Sequence, residues 1–258
     1  MQVVLTIAAS DSSAGAGIQA DLAVFREMGA YGVCAVTNVT AQNTLGVHKV
    51  NKTPPRIIAA QIDALVRDFR IAACKIGMLY SPQAVSVVAG RIRRREIPNV
   101  VLDPVTRSKR GDVLLTEPGI KRLRRELMPL ATVVTPNRAE AAALAQVEVS
   151  DEDSARRAAK RLVEMGAQAA LVKGGHAEGE PVDVLFDGRQ FHEFVGKRSS
   201  KRMHGTGCVL SAAIAARLAA GDDLVTAVGT AKEYIEKAIE NSVELGKGGL
   251  TLFIGARG

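Results

Sequence analysis

The sequence contains no tryptophan, and aromatic residues make up only 3% of its 258 positions. Few side chains are therefore available on which nucleic-acid bases could stack, which argues against a protein that binds single strands in this way. Cysteine is also scarce, because Cys34, Cys74 and Cys208 are the only three and lie far apart. This spacing excludes a disulfide framework and a zinc site of the C-x-x-C type.

The sequence also has no long apolar run, and we expect no targeting segment. No stretch approaches the roughly 20 apolar residues that span a bilayer. The N-terminal segment MQVVLTIAAS has no basic flank and leads directly into a strand-like pattern, so it does not resemble a secretory signal. No proline- or serine-rich linker divides the chain, whose length suits one open α/β sheet. We therefore expect one domain, residues 1–258, in the cytoplasm and without a membrane partner.

The formal net charge of +7 could indicate a nucleic-acid partner. Most basic residues, however, alternate with apolar residues in helix-like segments, as on solvated helix faces. The exception is the run from Lys197 to Arg202, which precedes a glycine-rich turn. We expect weak attraction to anions and no nucleic-acid partner.

Strand-like runs of β-branched residues alternate with amphipathic segments along most of the chain. This pattern predicts repeated βα units and a mostly parallel sheet with helices on both faces. Asp187-Gly188 between two alternating runs predicts an antiparallel hairpin at one edge. Ligands of such sheets bind beyond the carboxyl ends of the strands. The predicted strands are VVLTIAA, GVCAVTNVT, AACKIGM, NVVLDPV, ATVVTPN and AALVKGG, and predicted helices cover about 16–28, 54–69, 205–221 and 223–240.

The segment Gly15–Ala20 has the pattern G-x-G-x-x-A, which occurs in dinucleotide-binding turns. Ser10–Ala14 separates this segment from the first strand, whereas the dinucleotide turn begins at the strand itself. The second strand ends in neutral polar residues, where a dinucleotide site needs an acidic partner for the ribose. The segment therefore predicts a loop that lines a pocket, followed by a helix, and not a dinucleotide site.

The segment His204–Cys208, with the sequence HGTGC, opens a predicted helix. Its two glycines allow a tight turn whose backbone N–H groups point together at an anion, aided by the helix dipole. Cys208 lies in the first turn, where a thiol pKa is lowered and a thiolate becomes accessible near neutral pH. A buried small residue is the plainer interpretation, but the glycines, Thr206 and nearby basic residues favour phosphoryl transfer.

Four further polar residues follow predicted strand ends. Asn137 and Glu140 are three positions apart; Asn137 suits a helix N-cap, and Glu140 could hold Mg²⁺ through water. Asp103 is the second acidic candidate, or only a turn residue before a proline. Lys173 could neutralise nucleotide phosphate, although a solvated loop lysine fits the sequence nearly as well.

Together these motifs resemble the hydroxymethylpyrimidine/phosphomethylpyrimidine kinases, which belong to the ribokinase-like superfamily. The resemblance covers about Val3–Gly221 and implies a ribokinase-like three-layer αβα fold with a central, mostly parallel sheet. The motifs are LTIAASDSSAGAGIQADL, TAQNTLGV, KIGML, VVLDPV with KRGD after it, TPNRAEAAAL, VKGGH and HGTGC followed by LSAAIAA.

The resemblance implies phosphorylation of 4-amino-5-hydroxymethyl-2-methylpyrimidine and then of its monophosphate, with ATP and Mg²⁺, by a homodimer. Cys208 is then the base that takes the hydroxyl proton. The amide of Gln42 pairs with the pyrimidine edge, because it both donates and accepts. The remaining implied roles are charge stabilisation by the amides from Gly205 through Thr206 and Gly207 to Cys208, substrate contact by Asp21, Ser10 and Met78, nucleotide binding by Lys173, Thr206 and Asn137, and Mg²⁺ binding by Asp103 and Glu140.

Two positions depart from the family pattern near the substrate. Ala9 and Ala14 stand where the family usually has glycine, and each adds a methyl group to the pocket loop. An alternative is therefore a kinase for another vitamin-like alcohol, such as pyridoxal or an aminoimidazole riboside. A ligand-sensing or nucleic-acid-binding protein on a kinase scaffold is the alternative from a different class.

Overall fold

The computed structural model describes residues 1–108, 111–174, 180–197 and 203–252. Its main sheet has nine strands in the order β3-β2-β1-β4-β5-β6-β7-β8-β9. The neighbouring strands β2, β1, β4, β5, β6 and β7 are parallel to one another. The remaining three strands, β3, β8 and β9, are each antiparallel to their neighbours. The strands are β1 (Val3–Asp11), β2 (Tyr31–Asn43), β3 (Gly46–Lys52), β4 (Ile71–Ile76), β5 (Val100–Leu102), β6 (Val133–Val134), β7 (Ala170–Val172), β8 (Val182–Phe186) and β9 (Phe191–Val195).

Helices cover both faces of this sheet. Leu5 and Ile7 of β1 belong to an apolar cluster with residues of α2, α3, α5 and α6, while Val4 belongs to a second cluster with α1, α7 and α8. Successive strand residues point to opposite faces, so the chain forms the predicted three layers. The helices are α1 (Gly17–Glu27), α2 (Pro55–Asp68), α3 (Pro82–Arg95), α4 (Glu117–Arg122), α5 (Arg138–Ala145), α6 (Glu152–Glu164), α7 (Thr206–Ala220) and α8 (Leu224–Glu240). A π turn (Leu123–Leu127) and a 3₁₀ turn (Met128–Leu130) extend α4.

The predicted hairpin at Asp187-Gly188 is confirmed, because β8 and β9 pair around it. Asp187 accepts the amides of Arg189 and Gln190 at 2.8 Å, which closes the turn. The predicted helices are confirmed to within about two residues at each end. The sequence interpretation places a turn after β2 but misses β3, which is polar and half-exposed along its length and therefore lacks the alternating pattern of a half-buried strand.

A second, three-stranded sheet lies at the end of the chain. It consists of β10 (Met203–His204), β12 (Gly249–Thr251) and β11 (Val243–Gly246), in that spatial order. β10 and β12 are parallel, and β11 and β12 are antiparallel. Because β10 directly precedes α7, this sheet connects the C-terminal hairpin β11–β12 to the start of that helix.

Within the described ranges, no helix has both the length and the apolar character needed to cross a bilayer.

Candidate active site

The N-termini of α1 and α7 meet beyond the carboxyl end of β1. Gly205, at the start of α7, has a φ of +84°, and a Cβ there would lie 1.8 Å from the carbonyl oxygen of Gly15. Gly17, at the start of α1, has a φ of +62°, and a Cβ there would lie 2.3 Å from the carbonyl oxygen of Ala9. Only glycine allows both this backbone conformation and this approach. The two glycines therefore fix the two helix starts against each other.

Cys208 lies in the first turn of α7 and is partly exposed. The backbone amide of Gly17 acts on the thiol and lowers its pKa, so the start of α1 lies beside Cys208. Burial raises the pKa of Cys208 to about 11; Lys75 opposes this increase, whereas Asp103 adds to it. The prediction of a lowered thiol pKa is therefore wrong, because desolvation and nearby carboxylates outweigh the helix start.

Lys173 and Asp103 form an ion pair beside the start of α7. The Nζ atom of Lys173 is 3.1 Å from Oδ1 of Asp103. A Cβ on Gly207 would lie 3.2 Å from the same Nζ and 3.8 Å from Oδ2 of Asp103. Burial lowers the pKa of Lys173, but the attraction of Asp103 and Glu140 outweighs it, so the pKa is raised and the lysine stays charged. The structure thus brings together Cys208 and both predicted charged residues.

Glu140 and Asn137 form a capping box at the start of α5. The amide of Asn137 donates to Oε2 of Glu140 at 2.9 Å, and the amide of Glu140 donates to Oδ1 of Asn137 at 2.9 Å. The N-cap interpretation of Asn137 is confirmed. Burial raises the pKa of Glu140 to about 7; Lys173 lowers it and Asp103 raises it further. Glu140 therefore changes its charge near neutral pH, in the electrostatic field of the Lys173–Asp103 pair.

Gln42 lies at the other end of the site, where β2 turns into β3. Its Nε2 donates to Oδ2 of Asp11 at 3.2 Å, and its Oε1 accepts from Thr40 at 3.4 Å. Its backbone exchanges hydrogen bonds with the Ser12 hydroxyl, which donates to the Gln42 carbonyl at 2.6 Å and accepts from the Gln42 amide at 2.8 Å. The pocket loop therefore holds both the side chain and the backbone of Gln42.

Asp11 organises this loop, although the sequence interpretation assigns it no role. Its Oδ1 accepts from the amide and hydroxyl of Ser13, and its Oδ2 accepts from the amide of Ala16. An Asp followed by Ser-Ser-Ala-Gly is a turn signal that could have indicated this. Ser10 is also held, because its hydroxyl accepts from Gln19 at 2.7 Å. Met78 is half-buried at the end of β4, and its carbonyl accepts from Thr37 at 2.7 Å.

Asp21 does not reach the pocket, so its predicted contact with substrate is wrong. The side chain is fully buried. It accepts two hydrogen bonds from Lys75, at 2.9 and 2.8 Å, and one from Thr6 at 2.6 Å. The motif KIGML contains Lys75, yet the sequence interpretation overlooks it. A lysine inside an otherwise apolar strand is the signal that could have identified this pair.

Several sequence features lie outside the described residues. They include Lys109 and Arg110, Gly175 and His176 of the VKGGH motif, and Arg198, Lys201 and Arg202 of the basic run. Lys197 of the same run is described; it is exposed and pairs with Glu240 at 3.2 Å.

The C-terminal hairpin reaches the turn that carries Gln42. The amide of Gly248 donates to the hydroxyl of Thr44 at 3.1 Å. A Cβ on Gly248 would lie 1.9 Å from the Thr44 carbonyl oxygen, and a Cβ on Gly246 would lie 2.4 Å from the Thr44 hydroxyl. Through β10, the same hairpin joins the start of α7. It therefore connects the two ends of the site.

Comparison with known proteins agrees with this arrangement. The hydroxymethylpyrimidine/phosphomethylpyrimidine kinase of Haemophilus influenzae is 43% identical over 251 residues, which cover 95% of this chain and 93% of that protein. The phosphomethylpyrimidine kinase structure from Clostridium difficile 630 matches with a TM-score of 0.84 and 38% identity, over 93% of this chain and 100% of that one.

A related enzyme class has the same fold. The ADP complex of Bacillus subtilis pyridoxal kinase matches with a TM-score of 0.89 and 35% identity, over 98% of this chain and 97% of that one. These matches confirm the predicted ribokinase-like fold. The family model described as phosphomethylpyrimidine kinase matches residues 11–252. The chain therefore belongs to the phosphomethylpyrimidine kinase family, as its motifs predict.

Proposed function

We propose that this chain uses ATP to phosphorylate 4-amino-5-hydroxymethyl-2-methylpyrimidine and then its monophosphate, on the route to thiamine. The observation that carries the proposal is the meeting of Cys208, the glycine-rich start of α7 and the Lys173–Asp103 pair at one end of a site that has Gln42 at its other end. Helix N-termini and lysine ammonium groups bind phosphate. The two ends thus suit the two substrates.

The transferred phosphoryl group would lie at the start of α7. The amides from Gly205 to Cys208 would stabilise the charge on its oxygens, and Lys173 would neutralise phosphate of the nucleotide. In the first step the substrate hydroxyl oxygen, and in the second a phosphate oxygen of the monophosphate, forms the new bond to phosphorus while the bond to the ADP oxygen breaks. Thr206 and Asn137 remain candidates for nucleotide contact.

Cys208 would take the proton of the substrate hydroxyl as that bond forms. A thiol with a pKa of about 11 is mostly protonated at neutral pH, and its small thiolate fraction is a correspondingly strong base. Phosphoryl transfer passes through a loose transition state, so positioning contributes more than base strength. The Gly17 amide would fix the sulfur in place.

The acidic residues fit Mg²⁺, which takes few carboxylates and keeps much of its water. Asp103 would hold the ion beside the start of α7, and Glu140 would act through water. Both oxygens of Glu140 already accept backbone amides, from Asn137 and Thr106, which fixes the direction of the carboxylate. Bound Mg²⁺ would neutralise charge on the phosphates.

Gln42 would recognise the ring nitrogen and the adjacent amino group of the pyrimidine. Asp11 and Thr40 orient its amide for this pairing. Ser10 and Met78 would border the same pocket. Ala14 has a φ of +57°, in the left-handed region that glycine prefers. The alanine is therefore accommodated at some backbone strain, and the loop keeps its turn.

Pyridoxal phosphorylation is the second candidate, favoured by the close structural match to the Bacillus subtilis pyridoxal kinase. ADP release should be measured with Mg·ATP and each of four alcohols: the hydroxymethylpyrimidine, its monophosphate, pyridoxal and an aminoimidazole riboside. Turnover of both pyrimidines is expected. Turnover of pyridoxal or the riboside alone would contradict the proposal but keep the kinase chemistry.

Gln42→Ala separates the candidates further. It should raise KM for the pyrimidines at least tenfold, because a buried polar edge loses its partner. Gln83→Ala, an exposed glutamine of α3, is the matched control and should behave as the parent. The predicted single domain, homodimer and cytoplasmic location complete the proposal, and sedimentation of the purified chain tests the dimer.

A further inference from the structure

Lys75 and Asp21 form an ion pair that the proposed reaction does not use. Both side chains are fully buried. Lys75 is in β4 and Asp21 in α1, and the hydroxyl of Thr6 in β1 donates to the same carboxylate at 2.6 Å. Burial works against the charge of Lys75, but the attraction of Asp21 outweighs it and raises the pKa of Lys75. The lysine is therefore a fixed positive charge inside the fold.

Stability alone does not explain such a pair. Removing two charges from water is costly, and apolar residues of similar size often serve as well or better. The surroundings are otherwise apolar, since Val4, Val24 and Ala73 pack in the same layer. Gly77 also accommodates the pair, because a Cβ there would lie 2.9 Å from Nζ of Lys75. A functional role is therefore the better explanation.

The pair lies on the side of the sheet where α7 packs. α7 contacts β4 and β1, and α1 packs against α7. Among the charged groups that act on the Cys208 sulfur, Lys75 has the largest effect and Asp21 a smaller, opposite one. Lys173 and Asp103, which follow the strand ends, also interact electrostatically with Cys208. The net influence of the buried pair on Cys208 is therefore that of a nearby positive charge.

Asp21 also fixes the helix whose start faces Cys208. It lies one turn after Gly17, and its bonds to Lys75 and Thr6 tie that turn of α1 to two strands. The segment before α1 also contacts the start of α7, because a Cβ on Gly205 would lie 1.8 Å from the carbonyl oxygen of Gly15. A shift of α1 would therefore disturb the turn that carries Cys208.

We propose that Lys75 and Asp21 are positioning residues for Cys208: Asp21 holds α1 so that its start stays against the start of α7, and Lys75 supplies a fixed positive charge on the same side. This inference rests on the proposed function for its catalytic consequence. Its effect on the thiol can be measured without any substrate.

The test uses the variants Lys75→Met, Asp21→Asn and the double variant Asp21→Asn/Lys75→Met. The double variant retains no buried charge, so it keeps the test possible where a single variant fails to fold. Asp63→Asn is the matched control, because Asp63 pairs with Arg91 and Arg95 on the α2–α3 side of the sheet. Circular dichroism would establish the folded fraction of each variant.

Two quantities are measured for each variant and divided by its folded fraction. The first is the iodoacetamide reaction rate of Cys208 at about pH 8.5, followed by mass spectrometry of its peptide. Thiolate is the reacting form, so we expect a fall of at least about fivefold in Lys75→Met and in the double variant, which lose the positive charge. The second is kinase turnover, for which we expect kcat to fall at least tenfold while both KM values change less than threefold. Asp63→Asn should match the parent in both.

A folded double variant with parental alkylation and parental kcat would overturn the inference. A loss of kcat with unchanged alkylation would also overturn it, because the pair would then act elsewhere than at Cys208. A parent chain that phosphorylates none of the alcohols would instead contradict the proposed function, while slower alkylation in the variants would still support the role of the pair.

Discussion

Nζ of Lys173 lies 3.1 Å from Oδ1 of Asp103, although the two residues are 70 positions apart in the chain. Asp103 directly follows β5 and Lys173 directly follows β7. These strands are parallel and only β6 lies between them, so both side chains emerge at the carboxyl end of the sheet. The start of α7 lies against this pair at Gly207. The charge that the nucleotide needs is therefore in place before any ligand binds.

Lys173→Met should remove phosphate neutralisation while leaving Asp103 at the site. We expect kcat to fall about 10²-fold or more and KM for ATP to rise, because electrostatic stabilisation of the transferring group is lost. Steady-state ADP release at varied ATP measures both. Lys232→Met, which removes another partly buried lysine–aspartate pair, is the comparison; an equal loss there would indicate a general effect on the fold.

The pH dependence of turnover should depend on Cys208. Since its pKa is about 11, the thiolate fraction grows as pH rises above neutral, and kcat should increase over that range. Cys208→Ala should lower kcat by about 10²-fold or more and abolish the increase. Cys208→Asp should keep activity with a flat profile, because a carboxylate is ionised throughout. A parental profile in Cys208→Ala would disprove its role as base.

Glu140 should make the fold less stable as pH rises. Its pKa is raised from an ordinary 4.5 to about 7, so between these values the folded chain binds more protons than the unfolded chain. The free energy of unfolding should therefore fall with increasing pH across this window, by up to about 3 kcal/mol. Urea unfolding at about pH 5 and pH 8 measures the difference. In Glu140→Gln this contribution should disappear, and only the pH dependence that arises from the other titrating groups should remain.

Gly248→Ala should disturb the pyrimidine end of the site. A Cβ there would lie 1.9 Å from the Thr44 carbonyl oxygen, so the C-terminal hairpin must move away from the turn that carries Gln42. We expect KM for the pyrimidine to rise about tenfold, a loss of about 1.4 kcal/mol, with KM for ATP nearly unchanged. Gly90→Ala in α3, where a Cβ meets nothing within 4 Å, is the control and should not raise either KM.

The sequence predicts the sheet, its flanking helices and the family well because these depend on local patterns. Buried parallel strands form continuous apolar runs, and the glycines of HGTGC leave a clear turn signal. The misplacement of Asp21 has a different cause: its burial depends on Lys75, 54 residues away. The pattern around Asp21 alone does not show which side of α1 meets that lysine.

The pKa of Cys208 could not be predicted from its position in a helix. The helix start favours the thiolate, but desolvation by the packed layer acts in the opposite direction and is larger. That balance is set by tertiary packing. The contact between Gly248 and Thr44 likewise cannot be predicted from local sequence patterns, because 204 positions separate the two residues.

The close approach of Gly205 to Gly15 makes the starts of α1 and α7 depend on each other during folding. Since neither helix start can take its final position without the other, the phosphate-binding turn should form only when α1 and α7 dock on the sheet. Kinase activity therefore requires that the layer formed by α1 and α7 remains folded. During mild denaturation, loss of turnover should coincide with exposure of the α1–α7 interface and should not precede it.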